Sequence, residues 1–241
     1  MIFTFNGGMR MTVQIPKKYI EQEVAKYTSQ IKSKKPKARE IPKKIITISR
    51  QMGTGGRKIA EEVGRRLGCT VWGREILDVL ANQSDWDYQA RMFEALDEKT
   101  QSSIQGLIGN FFGRIDKYSY LYLLPKAVHV ISQNDAVILG RGAHMLLPDS
   151  FRVRIKGSFE TRLKNMMTYE NISEKAAKAI IKETDKQRDA FNRDIAHKAG
   201  LKDYQDAFDI EVNMDRFDIK EATSIIMHAF ALYYYLLKKA K

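Results

Sequence analysis

The chain has 241 residues, 44 % of them hydrophobic and 29 % charged, a composition typical of a globular protein and not of a fibrous or wholly disordered one. Its one cysteine, Cys69, excludes an intrachain disulfide, and we find neither a signal-peptide core nor an apolar stretch long enough to span a membrane, so we expect a cytoplasmic protein. The formal net charge is +12, but residues 1–44 carry +8 of it, so the rest of the chain is only mildly basic.

Residues 1–43 are expected to form a basic N-terminal extension. A short helix is predicted at about 17–31, because apolar residues recur there at helical spacing. The segment KSKKPKAREIPKK (residues 32–44) has two prolines and no apolar period, which favours a mobile, solvated linker. Docking of this segment on nucleic acid, a membrane surface or a protein partner is the alternative, although it lacks aromatic residues on which bases could stack.

From residue 44 the pattern becomes strand, helix, strand. The run IITIS (45–49) predicts a strand, and a helix follows from about Gly55 to Leu67, with Gly68 as its C-terminal cap. CTVW (69–72) predicts the second strand. Residues 74–134 show helical patterns and no clear strand, so they predict an all-helical insertion.

The second half of the chain continues the alternation. Strands are predicted at 136–140, 151–155 and 208–212, and helices at about 159–168, 173–191 and 219–237, with a polar stretch up to residue 206 and a basic C-terminal end at 237–241. Strands separated by helical segments predict an α/β fold in which a parallel sheet is flanked by helices.

A glycine-rich stretch, ITISRQMGTGGRKIA (46–60), lies between the first predicted strand and helix. Glycines at 53, 55 and 56 would let backbone N–H groups turn inward toward a phosphate, and a helix N-terminus adds partial positive charge. The full pattern G-x-x-x-x-G-K-[ST] is absent, since Arg50 replaces the first glycine, Gly56 the lysine and Arg57 the Ser/Thr. The stretch alone leaves open a phosphate-binding loop or a tight turn without a ligand.

Four blocks of sequence, in order, resemble the cytidylate-kinase-like proteins, P-loop relatives of the nucleoside monophosphate kinases. They are residues 46–68, VILGRGAH (137–144), DKQRDAFNRDIAHKAG (185–200) and residues 206–226. The resemblance implies a P-loop kinase-like domain over 44–236, with the helical insertion at about 74–134 and a lid at about 173–205. It also implies transfer of the γ-phosphoryl group of ATP to a nucleoside monophosphate (CMP-like) or another small acceptor.

Phosphoryl transfer depends on cations that converge on the phosphate oxygens. Arg141 follows a predicted strand directly, at the sheet edge where ligands of α/β folds bind, and a structural ion pair is its alternative role. Arg188 and Arg193 lie in the lid-like stretch, whose alternative is a solvated charged helix. We expect catalytic roles for Arg57, Arg141 and Arg188. The expected cofactor-binding residues are Ser49, Arg50, Gly53, Thr54, Gly55, Gly56, Arg57, Lys58, Arg162 and Arg193.

The expected cofactors are ATP and Mg²⁺, but the sequence does not assign metal ligands. Leu139 stands where related kinases often have an acid, and Gly73 where many carry Asp, so Glu75 or Asp78 is a possible substitute. These departures keep two alternatives open: a catalytically weak or inactive nucleotide-binding regulatory protein, and a basic nucleic-acid-binding protein that uses residues 32–44. Related folds make a homodimer plausible.

Overall fold

A computed structural model describes residues 16–32, 42–81, 86–96, 98–112, 120–201, 205 and 207–240. Its five strands form one sheet in the order β2-β3-β1-β4-β5, and every neighbouring pair is parallel. The strands are β1 (Ile45–Arg50), β2 (Thr70–Trp72), β3 (Ala136–Leu139), β4 (Phe151–Lys156) and β5 (Ile210–Asn213). The predicted α/β fold with a parallel sheet is confirmed.

Helices join the strands and cover both faces of the sheet. They are α1 (Lys17–Lys32), α2 (Gly56–Leu67), α3 (Arg74–Leu80), α4 (Trp86–Glu94), α5 (Glu98–Phe112), α6 (Tyr120–Ile131), α7 (Ala143–Leu146), α8 (Phe159–Glu170), α9 (Glu174–Lys198) and α10 (Ile219–Ala240). The sequence did not predict α7. It also ended α9 too early, because the stretch after residue 191 continues the helix and buries Ile195 and Ala196 in the core.

The central strands are apolar nearly throughout because both faces of the sheet are covered. On one face, α2 and α10 pack Ile59, Val63 and Phe230 against strand residues such as Ile46 and Val153. On the other face lie α6 and the remaining helices of the 74–134 insertion. This arrangement leaves the C-terminal edge of the sheet open to loops, where ligands of parallel α/β sheets bind.

Helix α1 belongs to the core of the protein although it lies within the segment expected to be an extension. Its residues Ile20, Val24 and Tyr27 are buried, and the Tyr27 ring packs edge-on against Trp72 at 6.2 Å between centroids. The Tyr27 hydroxyl also donates a hydrogen bond to the carbonyl of Val130 in α6. Residues 33–41, which hold most of the predicted linker, lie outside the described residues.

None of the described helices combines the length and the apolar character that crossing a bilayer requires.

Candidate functional site

The glycine-rich loop connects the end of β1, the central strand, to the N-terminus of α2. Gly53 and Gly55 have φ angles of 82° and 73°, a left-handed conformation that favours glycine. The backbone N–H groups of Gly53, Thr54 and Gly55 make no hydrogen bond with another described residue. These donors, together with the start of α2, form the kind of backbone concavity that binds phosphate.

Side chains of α8 and α9 form hydrogen bonds with the backbone of the loop. Asn165 donates to the carbonyl of Gly53 at 3.0 Å, and the Asp185 carboxylate accepts from the Met52 N–H at 2.9 Å. Arg162 is buried, donates to the carbonyl of Met52 at 3.2 Å and forms an ion pair with Asp185. A Cβ on Gly53 would lie 2.6 Å from the Arg162 carbonyl oxygen. The structure thus gives Arg162 a supporting contact to the loop.

Arg50, which stands where such loops have their first glycine, extends into the centre of the site. A Cβ on Gly140 would overlap its Nη1 atom, and a Cβ on Gly56 would lie 2.8 Å from its Cβ and Cγ atoms. The side chain therefore runs beside the start of α2 to the end of the neighbouring strand β3. Gly56 leaves room for the Cβ and Cγ atoms of Arg50, and Gly140 leaves room for its Nη1 atom.

Arg188 of α9 lies directly beside Arg50. Its Nη1 donates to the Arg50 carbonyl at 2.9 Å, and its Nε is buried with no partner among the described residues. Burial, followed by the charge of Arg188, lowers the pKa of Arg50, and burial likewise lowers the pKa of Arg188. Guanidinium groups nevertheless stay protonated at neutral pH. In the described part of the chain neither guanidinium makes an ion pair within 4 Å, so both charges are available to an anion.

A second group of side chains surrounds Arg141, which has a φ of 54° that is uncommon for a residue other than glycine. Its Nε and Nη2 donate to the two oxygens of Asp78, both at 2.6 Å, and Tyr120 donates to Asp78 at 2.6 Å. The Phe191 ring stacks against the guanidinium, with 4.9 Å between the ring centroid and the Cζ atom of Arg141. Burial lowers the pKa of Arg141, but the hydrogen bonds that Arg141 donates to the Asp78 carboxylate and the nearby negative charge outweigh burial and raise the pKa. The Nη1 donors of Arg141 have no partner among the described residues.

Tyr120 also remains a hydrogen-bond donor, since burial raises the pKa of its hydroxyl. Arg74, at the start of α3, lies 3.5 Å from Asp78, and Arg74 and Arg141 both lower the pKa of Arg50. The two groups of side chains therefore share one electrostatic environment at the C-terminal edge of β1, β2 and β3.

Two predicted arginines are not brought into this cluster. Arg57 has 60 % of its side chain exposed and pairs with Glu61 one turn along α2, although Glu75 is close enough to influence its pKa. Arg193 is also exposed and pairs with Asp189 on its own helix. Arg57 therefore lies at the rim of the site, and Arg193 lies on the solvent side of α9.

The remaining predicted residues have local contacts. The Lys58 ammonium lies 4.8 Å from the centroid of the Tyr169 ring, outside the arginine cluster. The buried Thr54 hydroxyl donates to the carbonyl of Gln51 at 2.9 Å and shapes the loop. Ser49 occupies the penultimate position of β1.

Sequence reasoning missed Arg74, Tyr120 and Phe191. Arg74 follows β2 by two residues, the same strand-end signal that indicated Arg141, so it was recoverable from the sequence. Tyr120 and Phe191 lie on α6 and α9, and only the packing of these helices brings them to Arg141.

No group of three or more His, Cys, Asp or Glu side chains is arranged to hold a metal in the described part of the chain. Arg57 occupies the position of the usual loop hydroxyl, and Leu139, buried in β3, the position of the usual acid. Mg²⁺ in such sites commonly binds through substrate phosphates with few protein ligands.

The chain is similar to known proteins in sequence and in fold. The model of the cytidylate kinase-like family matches residues 45–216, while no curated protein matches the chain. An uncharacterized protein from Eubacterium ventriosum ATCC 27560 is similar in structure, with a TM-score of 0.52 and 23 % identity over 78 % of this chain and 98 % of that one. This likeness shows the shared fold.

Two kinases of known structure are also similar at lower scores. A shikimate kinase from Bacteroides thetaiotaomicron has a TM-score of 0.42 and 14 % identity, over 78 % of this chain and 98 % of that one. A gluconokinase from Sinorhizobium meliloti 1021 has a TM-score of 0.45 and 12 % identity, over 84 % of this chain and 99 % of that one.

Proposed function

The chain belongs to the cytidylate kinase-like family, and we propose that it transfers the γ-phosphoryl group of ATP to a nucleoside monophosphate, CMP-like, or to another small acceptor. One observation carries the proposal: the guanidinium groups of Arg50, Arg74, Arg141 and Arg188 lie within electrostatic range of one another beside a loop whose backbone N–H groups have no partner among the described residues. Stabilising the negative charge of transferring phosphates requires such a convergence of donors.

The loop side of the site would hold the phosphates of ATP. The N–H groups of Gly53 to Gly55 have no hydrogen-bond partner among the described residues, and the charges of Arg50 and Arg188 lie beside the loop without an ion pair in that part of the chain. The nearby carboxylates are fewer than the arginines, since three carboxylates face five guanidinium groups: Glu75, Asp78 and Asp185 against Arg50, Arg74, Arg141, Arg162 and Arg188. The excess positive charge favours a polyanion over a neutral ligand.

The insertion side of the site would hold the acceptor. Asp78 fixes Arg141 through Nε and Nη2 and leaves the Nη1 donors directed elsewhere. A guanidinium anchored in this way is pre-organised to orient an anionic or hydroxyl-bearing acceptor, because it loses little rotamer freedom on binding. Tyr120 and Phe191 give this side an aromatic wall.

The domain assignment belongs to the same proposal. We assign phosphoryl transfer to residues 44–236, acceptor binding to the insertion at 74–134, and a lid function to 173–205. Helix α9 supports the last assignment, because Arg188 and Asp185 both contact the glycine loop from it. A displacement of α9 would remove both contacts at once.

Calorimetry of ATP binding and assays of ADP release across nucleoside monophosphates and small hydroxyl compounds test the proposal. Arg188→Ala should weaken ATP binding by about tenfold or more, through the loss of a charge-assisted phosphate contact. Arg65→Ala is the matched control, since Arg65 is an exposed arginine paired with Glu62 at the far end of α2. Unchanged ATP affinity in the Arg188 variant, or no ADP release with any acceptor, would count against a kinase.

The second candidate is a catalytically weak or inactive nucleotide-binding regulatory protein. The positions of Arg57 and Leu139 favour it, because neither residue supplies the metal ligand found there in related kinases. Its signature is ATP binding that no acceptor converts to ADP release. The third candidate, nucleic-acid binding through residues 32–44, stays a prediction because most of that segment lies outside the described residues.

A further inference from the structure

The outer face of α10 is apolar, although a helix on the surface of a domain usually presents charged residues to solvent. Phe230 points into the core, where it packs against Phe151 of the sheet. The opposite side of the helix exposes four large apolar side chains: Ile225 (37 % exposed), Leu232 (61 %), Tyr235 (54 %) and Leu236 (54 %). A continuous apolar face of this kind usually marks an interaction surface.

The exposed side chains follow the spacing of a helix–helix seam. Positions four and three residues apart in alternation lie along one line of the helix, and we call this line the α10 seam. Its members are Glu221, Ile225, His228, Leu232, Tyr235 and Lys239. All six are exposed, and the alternation of four and three is the a/d pattern of a coiled coil.

We propose that the α10 seam is covered by the same seam of a second copy of this chain, in antiparallel orientation about a two-fold axis. The six seam positions are spaced symmetrically about residue 230. One antiparallel register therefore places every seam residue opposite another seam residue of the partner. In that register Glu221 meets the partner's Lys239, and Ile225 meets the partner's Tyr235. His228 meets the partner's Leu232 beside the axis.

Charge supports the antiparallel orientation over the parallel one. Asp218 and Glu221 are at the N-terminal end of α10, and Lys238 and Lys239 are at its C-terminal end. Antiparallel pairing brings each acidic end to a basic end, whereas parallel pairing would bring like charges together. In the antiparallel arrangement the two helix dipoles also point in opposite directions, which is the electrostatically favourable arrangement for neighbouring helices.

The seam is structurally independent of the arginine cluster. At the start of α10, Ile219 contacts the loop, since it lies 3.3 Å from a Cβ placed on Gly55, but Ile219 is not a seam position. Substitutions at the seam therefore test association without removing a residue of the proposed nucleotide site.

The first test is sedimentation velocity of the full-length protein over a range of concentrations. We expect a dimer in the wild type and a dissociation constant about a hundredfold higher in Leu232→Glu, because two-fold symmetry buries the introduced charge twice. Leu201→Glu is the matched control, since Leu201 is an exposed leucine outside α10, and it should remain dimeric. A wild type that stays monomeric, or a Leu232→Glu variant that dimerises normally, would overturn the proposal.

Charge exchange at the ends of the seam tests the orientation. Glu221→Lys and Lys239→Glu should each weaken the homodimer by about tenfold, because each puts like charges in both symmetry-related contacts. Mixing the two variants should restore a heterodimer of near wild-type affinity, since every contact then joins opposite charges. A parallel dimer would pair each position with itself, so neither single substitution would weaken the homodimer and the mixture would bind more tightly than the wild type. Either that outcome or failure of the mixture to associate would refute the antiparallel seam.

Thermal unfolding separates this proposal from cover by another part of the same chain. If the apolar face were covered internally, Leu232→Glu would lower the melting temperature and leave the sedimentation coefficient independent of concentration in both proteins. That result would overturn the proposal. A dimer whose dissociation follows the seam substitutions supports it.

Discussion

The side chain of Arg50 fills the space that a side chain at position 56 would need: a Cβ on Gly56 would lie 2.8 Å from both the Cβ and the Cγ of Arg50. In the pattern G-x-x-x-x-G-K-[ST] the first position is glycine and the later one is lysine. Here arginine and glycine stand at these two positions. Arg50 therefore leaves no room for a side chain at position 56 and itself supplies a cation beside the loop.

This coupling predicts a rescue. Arg50→Gly should weaken ATP binding by about tenfold or more, because the central charge is lost. Gly56→Lys should also weaken it, because the new side chain collides with Arg50. The double variant Arg50→Gly/Gly56→Lys should bind ATP more tightly than either single variant, as measured by calorimetry. Additive losses in the double variant would show that the two positions are independent.

Gly140 should be sensitive to even one added carbon. Gly140→Ala places a methyl group on the Nη1 atom of Arg50 and is strained at a φ of 84°. Gly68→Ala is the matched control, since Gly68 has a φ of 66° but nothing within 4 Å of an added Cβ. Both should lose about 1–2 kcal/mol of stability from backbone strain. Only Gly140→Ala should also weaken ATP binding, and equal ATP affinities in the two variants would contradict this placement of Arg50.

Asp78 should affect the acceptor more than ATP. Asp78→Asn keeps the shape of the side chain but removes the charge that anchors Arg141 and accepts from Tyr120. We expect kcat/KM for the acceptor to fall by about ten- to a hundredfold with little change in ATP affinity. Glu62→Gln is the control, because Glu62 pairs only with exposed arginines of α2. A loss confined to ATP binding would place Asp78 on the nucleotide side.

Stability should decline in mild acid through His129 of α6. Burial lowers the pKa of His129 to about 4, below the value of about 6.5 for an unfolded histidine. As pH falls through this window the unfolded chain takes up the proton first, so unfolding becomes easier by up to about 1.4 kcal/mol per pH unit. Urea unfolding at several pH values should show a smaller decline in His129→Gln than in the wild type. His197→Gln, which changes an exposed histidine outside the α10 seam, should follow the wild type.

Sequence alone determined the architecture, because apolar periodicity depends on local spacing and on which side of each element is buried. The strands around Ile46, Val137 and Val153, the helix closed by Gly68 and the helical insertion all follow from such patterns. The position of Arg141 after a strand also fixed its place at the ligand-binding edge. These features need no knowledge of distant contacts.

The membership of the site was decided by tertiary structure. Arg50, Arg57 and Arg193 look alike in the sequence, yet of the three only Arg50 is directed between two glycines, one of which follows a neighbouring strand far along the chain. Tyr120 and Phe191 reach Arg141 from separate helices. The direction of a long charged side chain depends on which partners and spaces the folded chain brings near it. The local spacing of residues in the sequence does not determine those long-range contacts.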